Sequence, residues 1–187
     1  MGSHCVELAK IIESRGALLF GEFTLSSGLK SSYYLDLRRL LGDWGSYRRV
    51  VEMLAERAVR DFGDFDVVVG VATAGIPWAS GLAFLLGKGL AYVRSEAKAH
   101  GTSRVVEGAP GPGRCIVVDD VATTGASLEA AVRSLEGVCE VVGALVIVDR
   151  LQGAGERLER LGVRLSSLVD IRELFKCMGR ESLELDR

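Results

Sequence analysis

The sequence contains no asparagine and a single glutamine, Gln152, among its 187 residues. Scarcity of these thermolabile amides is typical of a heat-adapted source, although a biased genomic base composition produces the same pattern. The chain also lacks any apolar run near the roughly 18–20 residues that a membrane helix needs. Its first residues lack the basic stretch and apolar core of a secretory signal, so we expect a cytoplasmic protein without a membrane partner.

A basic excess and a metal-binding cysteine pattern are missing as well. The formal net charge is −2, whereas a protein that binds nucleic acid usually carries a clear positive excess, so nucleic acid is not the expected partner. The cysteines form no CxxC pair, and they lie far apart at Cys5, Cys115, Cys139 and Cys177. We therefore expect buried free thiols rather than a metal cluster or a disulfide frame.

The apolar and charged fractions, 48% and 26%, are those of a globular domain. Apolar runs typical of strands occur at 67–71, 90–94, 115–119, 141–149 and 163–168. Helical patterns occur at 5–15, 44–62, 77–86, 127–135, 155–161 and 170–178. Continuous apolar strands alternating with helices predict an α/β fold, with a mainly parallel sheet of about five strands flanked by helices.

The domain organisation follows from the same patterns. We predict a single domain, in which residues 5–42 form an N-terminal helix and hairpin, or hood, and residues 43–187 form the core. A flexible loop is expected at 95–113, because this stretch lacks apolar periodicity. Residues 1–4, MGSH, have the composition of an expression scar and are left out of the fold prediction.

The stretch from Cys115 to Ser127, CIVVDDVATTGAS, contains the strongest functional signal. An apolar strand delivers two adjacent carboxylates, Asp119 and Asp120, to the end where open α/β sheets bind ligands. In the loop that follows, Gly125 permits close backbone approach, so N–H groups and threonine hydroxyls can converge on an anion at a helix N-terminus. This pattern predicts a site for a phosphate with ribose hydroxyls, a metal, or both. The alternative is an acidic strand end before a capped helix, as in any doubly wound domain.

This stretch resembles the motif with which type I phosphoribosyltransferases bind 5-phosphoribosyl 1-pyrophosphate (PRPP). The resemblance implies the fold of that family. It also implies that Asp119 and Asp120 hold the 2′ and 3′ hydroxyls of the ribose and stabilise positive charge on its ring. The implied cradle for the 5′-phosphate consists of Val121, Ala122, Thr123, Thr124, Gly125, Ala126 and Ser127.

An upstream segment, ALLFGEFTLSSGLKSSYYLDLRRL, alternates apolar and polar residues and predicts two short strands joined by a turn. It resembles the N-terminal signature of orotate phosphoribosyltransferases through its FGEFTL run, its serine-glycine turn and its aromatic pair. The resemblance implies that Lys30, Tyr33 and Tyr34, with Thr123, bind orotate. The alternative is an ordinary hairpin without a binding role.

The connection after Arg94 contains four glycines and two prolines before Arg114, and a loop of this length is usually functional or disordered. Its start, with Lys98 and His100, resembles the RxEAKxHG catalytic loop of the same family. The resemblance implies that Arg94, Lys98 and His100 neutralise the pyrophosphate, and that the loop closes over the reaction and excludes water. The alternative is a solvated loop.

Two further positions receive roles. The loop of Thr73, Ala74 and Gly75 lies between a strand and a helix, where backbone amides can bind an anion, and in the resembled family this loop receives the pyrophosphate. Arg150, at the end of the strand 141–149, matches an arginine of the family that could bind the orotate carboxylate. The alternative for Arg150 is an ion pair with Asp149 or Glu156.

Taken together, the resemblance implies an enzyme that transfers the phosphoribosyl group of PRPP to orotate, giving orotidine 5′-monophosphate and pyrophosphate in UMP biosynthesis. Mg²⁺ is expected to be bound mainly by PRPP and water, since this ion keeps several waters and rarely occupies an all-protein cage. The resemblance also implies a homodimer in which the Lys98 loop reaches the neighbouring active site.

The sequence departs from the family where many members have lysine, at Ser26, Ala74 and Ser95. Three cations are thus missing near the expected pyrophosphate, which leaves Arg94, Lys98, His100 and Arg104. Two other functions stay open on the same fold, a purine phosphoribosyltransferase and a non-catalytic PRPP sensor or RNA-binding regulator. Arg150 and the hairpin favour orotate over a purine, and the acidic pI with the intact Lys98 loop disfavours a regulator.

Overall fold

The structure, a computed structural model, describes residues 3–24, 28, 30–94, 105–108 and 110–180. The chain begins with a helix, a hairpin and a 3₁₀ helix, which are α1 (Ser3–Ser14), β1 (Leu18–Thr24), β2 (Lys30–Leu35) and the 3₁₀ helix Leu37–Gly42. The two strands pair in antiparallel fashion and form a small sheet of their own. The predicted hairpin is therefore confirmed.

The remaining strands form one six-stranded sheet in the order β5-β4-β3-β6-β7-β8. These strands are β3 (Val67–Val71), β4 (Gly89–Val93), β5 (Val106–Glu107), β6 (Arg114–Ala122), β7 (Glu140–Asp149) and β8 (Leu165–Asp170). All neighbouring pairs are parallel except β4 with β5. The helices that accompany this sheet are α2 (Trp44–Phe62), α3 (Gly75–Leu86), α4 (Ala126–Ser134), α5 (Ala154–Glu159) and α6 (Ile171–Cys177). The predicted α/β fold is confirmed.

The central strands contain continuous apolar runs, at 67–69 in β3, 115–118 in β6 and 144–148 in β7, because helices cover both faces of the sheet. Successive side chains of a strand point to opposite faces, so Val68, Ile116 and Leu145 pack in a core with α1, α2, α3 and α6. Their neighbours Val69 and Val117 pack in a second core with α4 and α5. None of the helices within the described ranges is long and apolar enough to cross a membrane.

Local signals explain where α2 begins and ends. The side chain of Asp43 accepts a hydrogen bond from the backbone N–H of Ser46 at 2.8 Å, which caps the first turn. Gly63 ends the helix with φ of 68°, a conformation that a residue without a Cβ adopts at no steric cost. The sequence predicted both limits of this helix correctly.

Several elements differ from the prediction. Strand β6 does not stop at Asp119 but continues to Ala122, since Val121 and Ala122 still pair with β7. Part of the predicted loop 95–113 is a strand, because β5 pairs with the otherwise open edge of β4. The 3₁₀ helix after β2 was not predicted, and α1 begins at Ser3, inside the segment that was set aside.

The prediction of free cysteine thiols is wrong. Cys5 of α1 is joined to Cys177 of α6, and Cys115 of β6 is joined to Cys139, with Cα–Cα distances of 6.1 and 6.2 Å. Sequence spacing could not reveal these bonds, because the partners are 172 and 24 residues apart and meet only through helix and strand packing. Intracellular proteins of hyperthermophiles are an exception to the rule that disulfides mark oxidising compartments.

Candidate active site

A cavity of about 440 Å³ opens at the carboxyl ends of β3 and β6. The chain runs from β3 towards one edge of the sheet and from β6 towards the other, so these two strands flank the point where the strand order reverses. Open α/β sheets bind ligands at this switch point. The lining residues are Thr24, Tyr34, Leu35, Arg38, Val71, Ala72, Thr73, Ala74, Asp119, Asp120, Val121, Ala122, Thr123, Thr124, Gly125, Ala126, Ser127, Leu128 and Arg150.

Two adjacent carboxylates form the floor of this cavity. Asp119 is 8% exposed, and its Oδ1 accepts a hydrogen bond from the backbone N–H of Asp120 at 2.9 Å. The Oδ1 atom of Asp120 in turn accepts one from the N–H of Val121 at 2.7 Å. These bonds orient both side chains while leaving further lone pairs for ligand hydroxyls.

The same carboxylates are electrostatically coupled. Burial, together with the charge of Asp120, raises the pKa of Asp119 well above its ordinary value. Burial also raises the pKa of Asp120, although the N–H of Val121 and the charge of Arg38 act in the opposite direction. Two buried carboxyl groups this close together favour ligands that donate hydrogen bonds or carry positive charge, as ribose hydroxyls and a cationic sugar ring do.

The predicted phosphate cradle lies directly after these acids. Residues 123–125 connect β6 to α4, and the backbone N–H groups at the start of α4 are available for an anion. Gly125 has φ of 78°, and a Cβ there would stand 2.9 Å from the Cα of Ala154. Glycine is therefore required at this turn, because a side chain would displace α5.

The loop between β3 and α3 borders the cavity on the neighbouring strand. Thr73 and Ala74 line it, and Gly75 is the first residue of α3. A Cβ on Gly75 would overlap the backbone oxygen of Val118 and approach Oδ1 of Asp119 to 3.1 Å. The absence of a side chain thus lets this loop lie against the acidic pair.

Arg150 reaches the cavity from the end of β7 and is only 4% exposed. Its Nη2 donates to Oγ of Ser31 at 2.8 Å, and its Cζ lies 4.1 Å from the ring centre of Tyr33. Neither contact is the ion pair with Asp149 or Glu156 that was the alternative. The hood therefore holds this guanidinium at the cavity wall.

The two tyrosines of β2 have different surroundings because alternate side chains of a strand point to opposite faces. Tyr34 lines the cavity, whereas Tyr33 is 3% exposed and packs edge-on against Phe175 at 5.2 Å. Tyr33 is not among the described residues that line the cavity, and its contact with the site is through Arg150. Lys30 lies exposed at the start of β2.

Sequence reasoning missed three residues of the hood that line the cavity, namely Thr24, Leu35 and Arg38. Arg38 lies in the unpredicted 3₁₀ helix, where its Nε donates to Oδ1 of Asp36 at 2.7 Å. The available signal was an acid two residues before an arginine, directly after the aromatic pair.

The remaining predicted residues lie elsewhere. Arg94 directly follows β4 and forms an ion pair with Glu107 of β5 at 3.7 Å, and it is not among the described lining residues. Lys98 and His100 lie outside the described residues, as do Ser26, Ser95 and Arg104. Their assignments therefore stay predictions.

Comparison with known proteins identifies similar chains. The family described as the phosphoribosyl transferase domain matches residues 41–163, more than half of the chain. An orotate phosphoribosyltransferase of Aeropyrum pernix is 50% identical over 173 residues, covering 92% of this chain and 93% of the relative. One from Pyrobaculum islandicum is 44% identical, covering 88% and 82%. The crystal structure of the Aeropyrum pernix protein superposes with a TM-score of 0.85 over 92% of this chain and 98% of that chain.

Proposed function

This chain belongs to the phosphoribosyltransferase family, and from that premise we infer that it is an orotate phosphoribosyltransferase of pyrimidine biosynthesis. It transfers the phosphoribosyl group of PRPP to orotate, and pyrophosphate leaves. The observation that carries this conclusion is that one cavity joins an acidic pair, a threonine loop at a helix N-terminus and a buried arginine. These groups match a ribose, a phosphate and a carboxylate in turn.

The acidic pair and the cradle hold the sugar on both sides of its reacting carbon. Asp119 and Asp120 accept hydrogen bonds from the ribose hydroxyls, and the loop ending at Ser127 binds the 5′-phosphate. When the bond between C1 and the pyrophosphate oxygen breaks, positive charge develops on the ring beside the carboxylates, which stabilise it. The orotate nitrogen then forms its bond to C1, and its N–H proton passes to the departing pyrophosphate or to solvent.

Arg150 is the group that selects orotate. A guanidinium binds a carboxylate through two parallel hydrogen bonds, and the contacts with Ser31 and Tyr33 fix its orientation before the substrate arrives. Tyr34 supplies an aromatic wall for the planar ring. A purine has no carboxylate for Arg150, so the structure favours neither the purine enzyme nor a regulator without an acceptor substrate.

The residues of the cavity fit a metal that arrives with the substrate. Within the described ranges no three His, Cys, Asp or Glu side chains cluster in a way that would hold a metal ion. We propose that Mg²⁺ is bound mainly by PRPP oxygens and water, since this ion keeps several waters, and that it would supply positive charge to the departing pyrophosphate.

Purified protein incubated with PRPP and magnesium tests the function. We expect orotate to be consumed and orotidine 5′-monophosphate to form, with no product from adenine or xanthine. Consumption of a purine instead of orotate would overturn the assignment. Tight binding of RNA without turnover of any base would favour the regulator.

Lys98 is proposed to neutralise the pyrophosphate as it leaves. The Lys98→Ala variant should lower kcat by about tenfold to a hundredfold, since one charged hydrogen bond of the transition state is lost. Orotate binding, measured by calorimetry, should change far less. An unchanged kcat would remove this residue from the mechanism.

The homodimer is a further proposal, and its support is the exposure of three large apolar side chains, Phe84 and Leu85 of α3 and Leu90 of β4. Phe84 is 90% exposed, which is costly for a residue of this kind unless a second copy covers it. Sedimentation equilibrium should give twice the chain mass. Mixing the impaired Lys98→Ala and Asp119→Asn chains should give more activity than the sum of the two variants alone if the loop serves the neighbouring site, and no such gain would contradict that arrangement.

Other assignments also stay predictions. The division into a hood at 5–42 and a core at 43–187 stays a proposal, and the separate two-stranded sheet supports it. Arg94 and His100 stay proposed pyrophosphate ligands, and Lys30 and Tyr33 stay proposed orotate ligands. The cytoplasmic location is likewise proposed.

A further inference from the structure

The cavity has a deficit of accessible positive charge. Among its described lining residues the cations are Arg38 and Arg150, against the two carboxylates of Asp119 and Asp120. Arg150 is 4% exposed and is held between Ser31 and Tyr33, so it is committed to one wall. A ligand with several phosphate groups therefore meets one solvent-accessible cation in this part of the cavity, namely Arg38.

Arg38 is accessible but fixed in place. Its side chain is 57% exposed, yet Nε donates to Oδ1 of Asp36 at 2.7 Å and Nη2 donates to the hydroxyl of Tyr34 at 3.4 Å. Within the described residues these bonds engage Nε and Nη2, which leaves Nη1 for a ligand. An arginine side chain that is already held by some of its N–H groups loses less conformational entropy when its remaining N–H groups bind an anion.

Arg38 also faces the acidic pair. Its pKa is raised chiefly by the hydrogen bond and the charge of Asp36, and the charge of Asp120 adds to this effect. The guanidinium and the two carboxylates therefore line the same cavity, close enough for the charge of Asp120 to act on Arg38. A ligand bound to Asp120 through its hydroxyls has its neighbouring substituents within reach of Arg38.

We propose that Arg38 binds the pyrophosphate group of PRPP and supplies a fixed positive charge from the hood side of the site. The proposal rests on the proposed function, because it takes the substrate from there. The C1 atom of the ribose, which carries the pyrophosphate, is bonded to C2, whose hydroxyl the acidic pair holds. The pyrophosphate therefore lies beside Asp120, on the side that Arg38 faces.

The other anions of the two substrates have better partners. The 5′-phosphate has the backbone N–H groups around Thr124 and Ser127 at the start of α4. The orotate carboxylate has the buried Arg150. Pyrophosphate carries the largest charge of the three groups, and among the described residues that line the cavity it is offered the neutral loop of Thr73 and Ala74 and the guanidinium of Arg38.

Arg39 provides a matched control for the experiment. It shares the partner of Arg38, since its Nε donates to Oδ2 of Asp36 at 3.4 Å, but its Nη1 donates to the backbone oxygen of Gly16 at 3.1 Å. It does not line the cavity in the described part of the chain. Substituting either arginine removes the same charge from the same 3₁₀ helix.

Calorimetric titration of the full chain with inorganic pyrophosphate and magnesium tests the proposal. Arg38→Gln should raise the Kd of pyrophosphate and the KM of PRPP by about tenfold or more, the effect of one charged hydrogen bond, with the KM of orotate unchanged. Arg38→Lys should recover part of the affinity, because lysine retains the positive charge but lacks the planar, paired N–H donors of a guanidinium. Arg39→Gln should stay within about twofold of wild type, and unfolding temperatures check that all three variants fold.

Two outcomes would overturn the proposal. Equal pyrophosphate affinity in Arg38→Gln and Arg39→Gln would show that Arg38 is only a structural partner of Asp36. A rise in the KM of orotate alone would assign Arg38 to the acceptor. If the wild-type chain binds pyrophosphate through Arg38 but turns over a purine, the orotate assignment fails while the role of Arg38 stands.

Discussion

The Asp119→Asn variant is expected to lose about a hundredfold to a thousandfold in kcat, and to unfold at a higher temperature than the wild-type chain when no substrate is present. Activity falls because the neutral amide no longer stabilises the positive charge that develops on the ribose. The unfolding temperature rises because the wild-type carboxylate of Asp119 is only 8% exposed and lies beside a second carboxylate, and the amide removes the cost of burying that charge. Steady-state kinetics and thermal unfolding measure the two effects.

The direction of the pH dependence follows from the pKa of Asp119, which burial and the charge of Asp120 raise. The folded chain keeps this proton to a higher pH than the unfolded chain does. The contribution of Asp119 to stability therefore becomes less favourable as pH rises from the unfolded pKa of about 3.9 towards the raised folded value. Asparagine does not titrate, so the gap in unfolding temperature between variant and wild type should widen over that range.

Asp61 provides a control whose pKa is shifted in the opposite direction, and it is not among the described residues that line the cavity. Burial alone would raise its pKa, but hydrogen bonds from Arg60 at 2.9 Å and Ser166 at 2.5 Å outweigh burial and lower it. Its stabilising effect is present above the unfolded pKa and is lost as pH falls through the lowered folded value. Asp61→Asn should thus unfold at a lower temperature at neutral pH with turnover unchanged. If Asp119→Asn were also less stable than wild type, the strain assigned to the acidic pair would be wrong.

The second large effect is expected from the bond between Cys5 and Cys177. This disulfide joins α1 to α6 across 172 residues. It therefore closes nearly the whole unfolded chain into one loop and lowers the conformational entropy of the unfolded state. Replacing both cysteines with alanine should lower the free energy of unfolding by about 5 kcal/mol in the chain-entropy account of crosslinks. Denaturant titration under non-reducing conditions measures this loss, and activity below the unfolding transition should persist.

The bond between Cys115 and Cys139 is the internal control. It encloses only 24 residues, so the same account predicts a smaller loss of about 3.5 kcal/mol for the double alanine variant. Both wild-type bonds should resist alkylation until a reductant is added. A larger loss for the short loop than for the long one would mean that packing around the sulfurs, rather than chain entropy, dominates.

Local pattern was enough to predict most of the fold. The limits of α2 and β3 were predicted at the correct residues, because caps, glycine stops and continuous apolar runs act within a few positions of the chain. Strand β5 was missed because two residues have no periodicity, and only the open edge of β4 makes them a strand. The disulfides were missed because their partners become neighbours only after helices and strands have packed.

For the site as well, residues close together in the sequence were predicted, whereas residues positioned by packing were not. The acidic pair and the threonine loop are consecutive in sequence, so one strand-to-helix turn presents them together. The roles of Tyr33 and Tyr34 could not be separated, because their orientation depends on which face of β2 packs against Phe175. Arg38 was missed because its approach to Asp120 is set by the way the hood lies over the sheet.

By itself the sequence determined the parallel α/β sheet, the PRPP motif at the carboxyl end of one of its strands and the likeness to orotate phosphoribosyltransferases. These features follow from residues close together in the chain, whose conformations are governed by steric limits and by apolar periodicity. Only the tertiary structure decided which cysteines pair, that Arg150 contacts Ser31 and Tyr33, and that Arg38 lines the cavity. Each of these joins segments distant in sequence, and their contact arises from packing that no local pattern records.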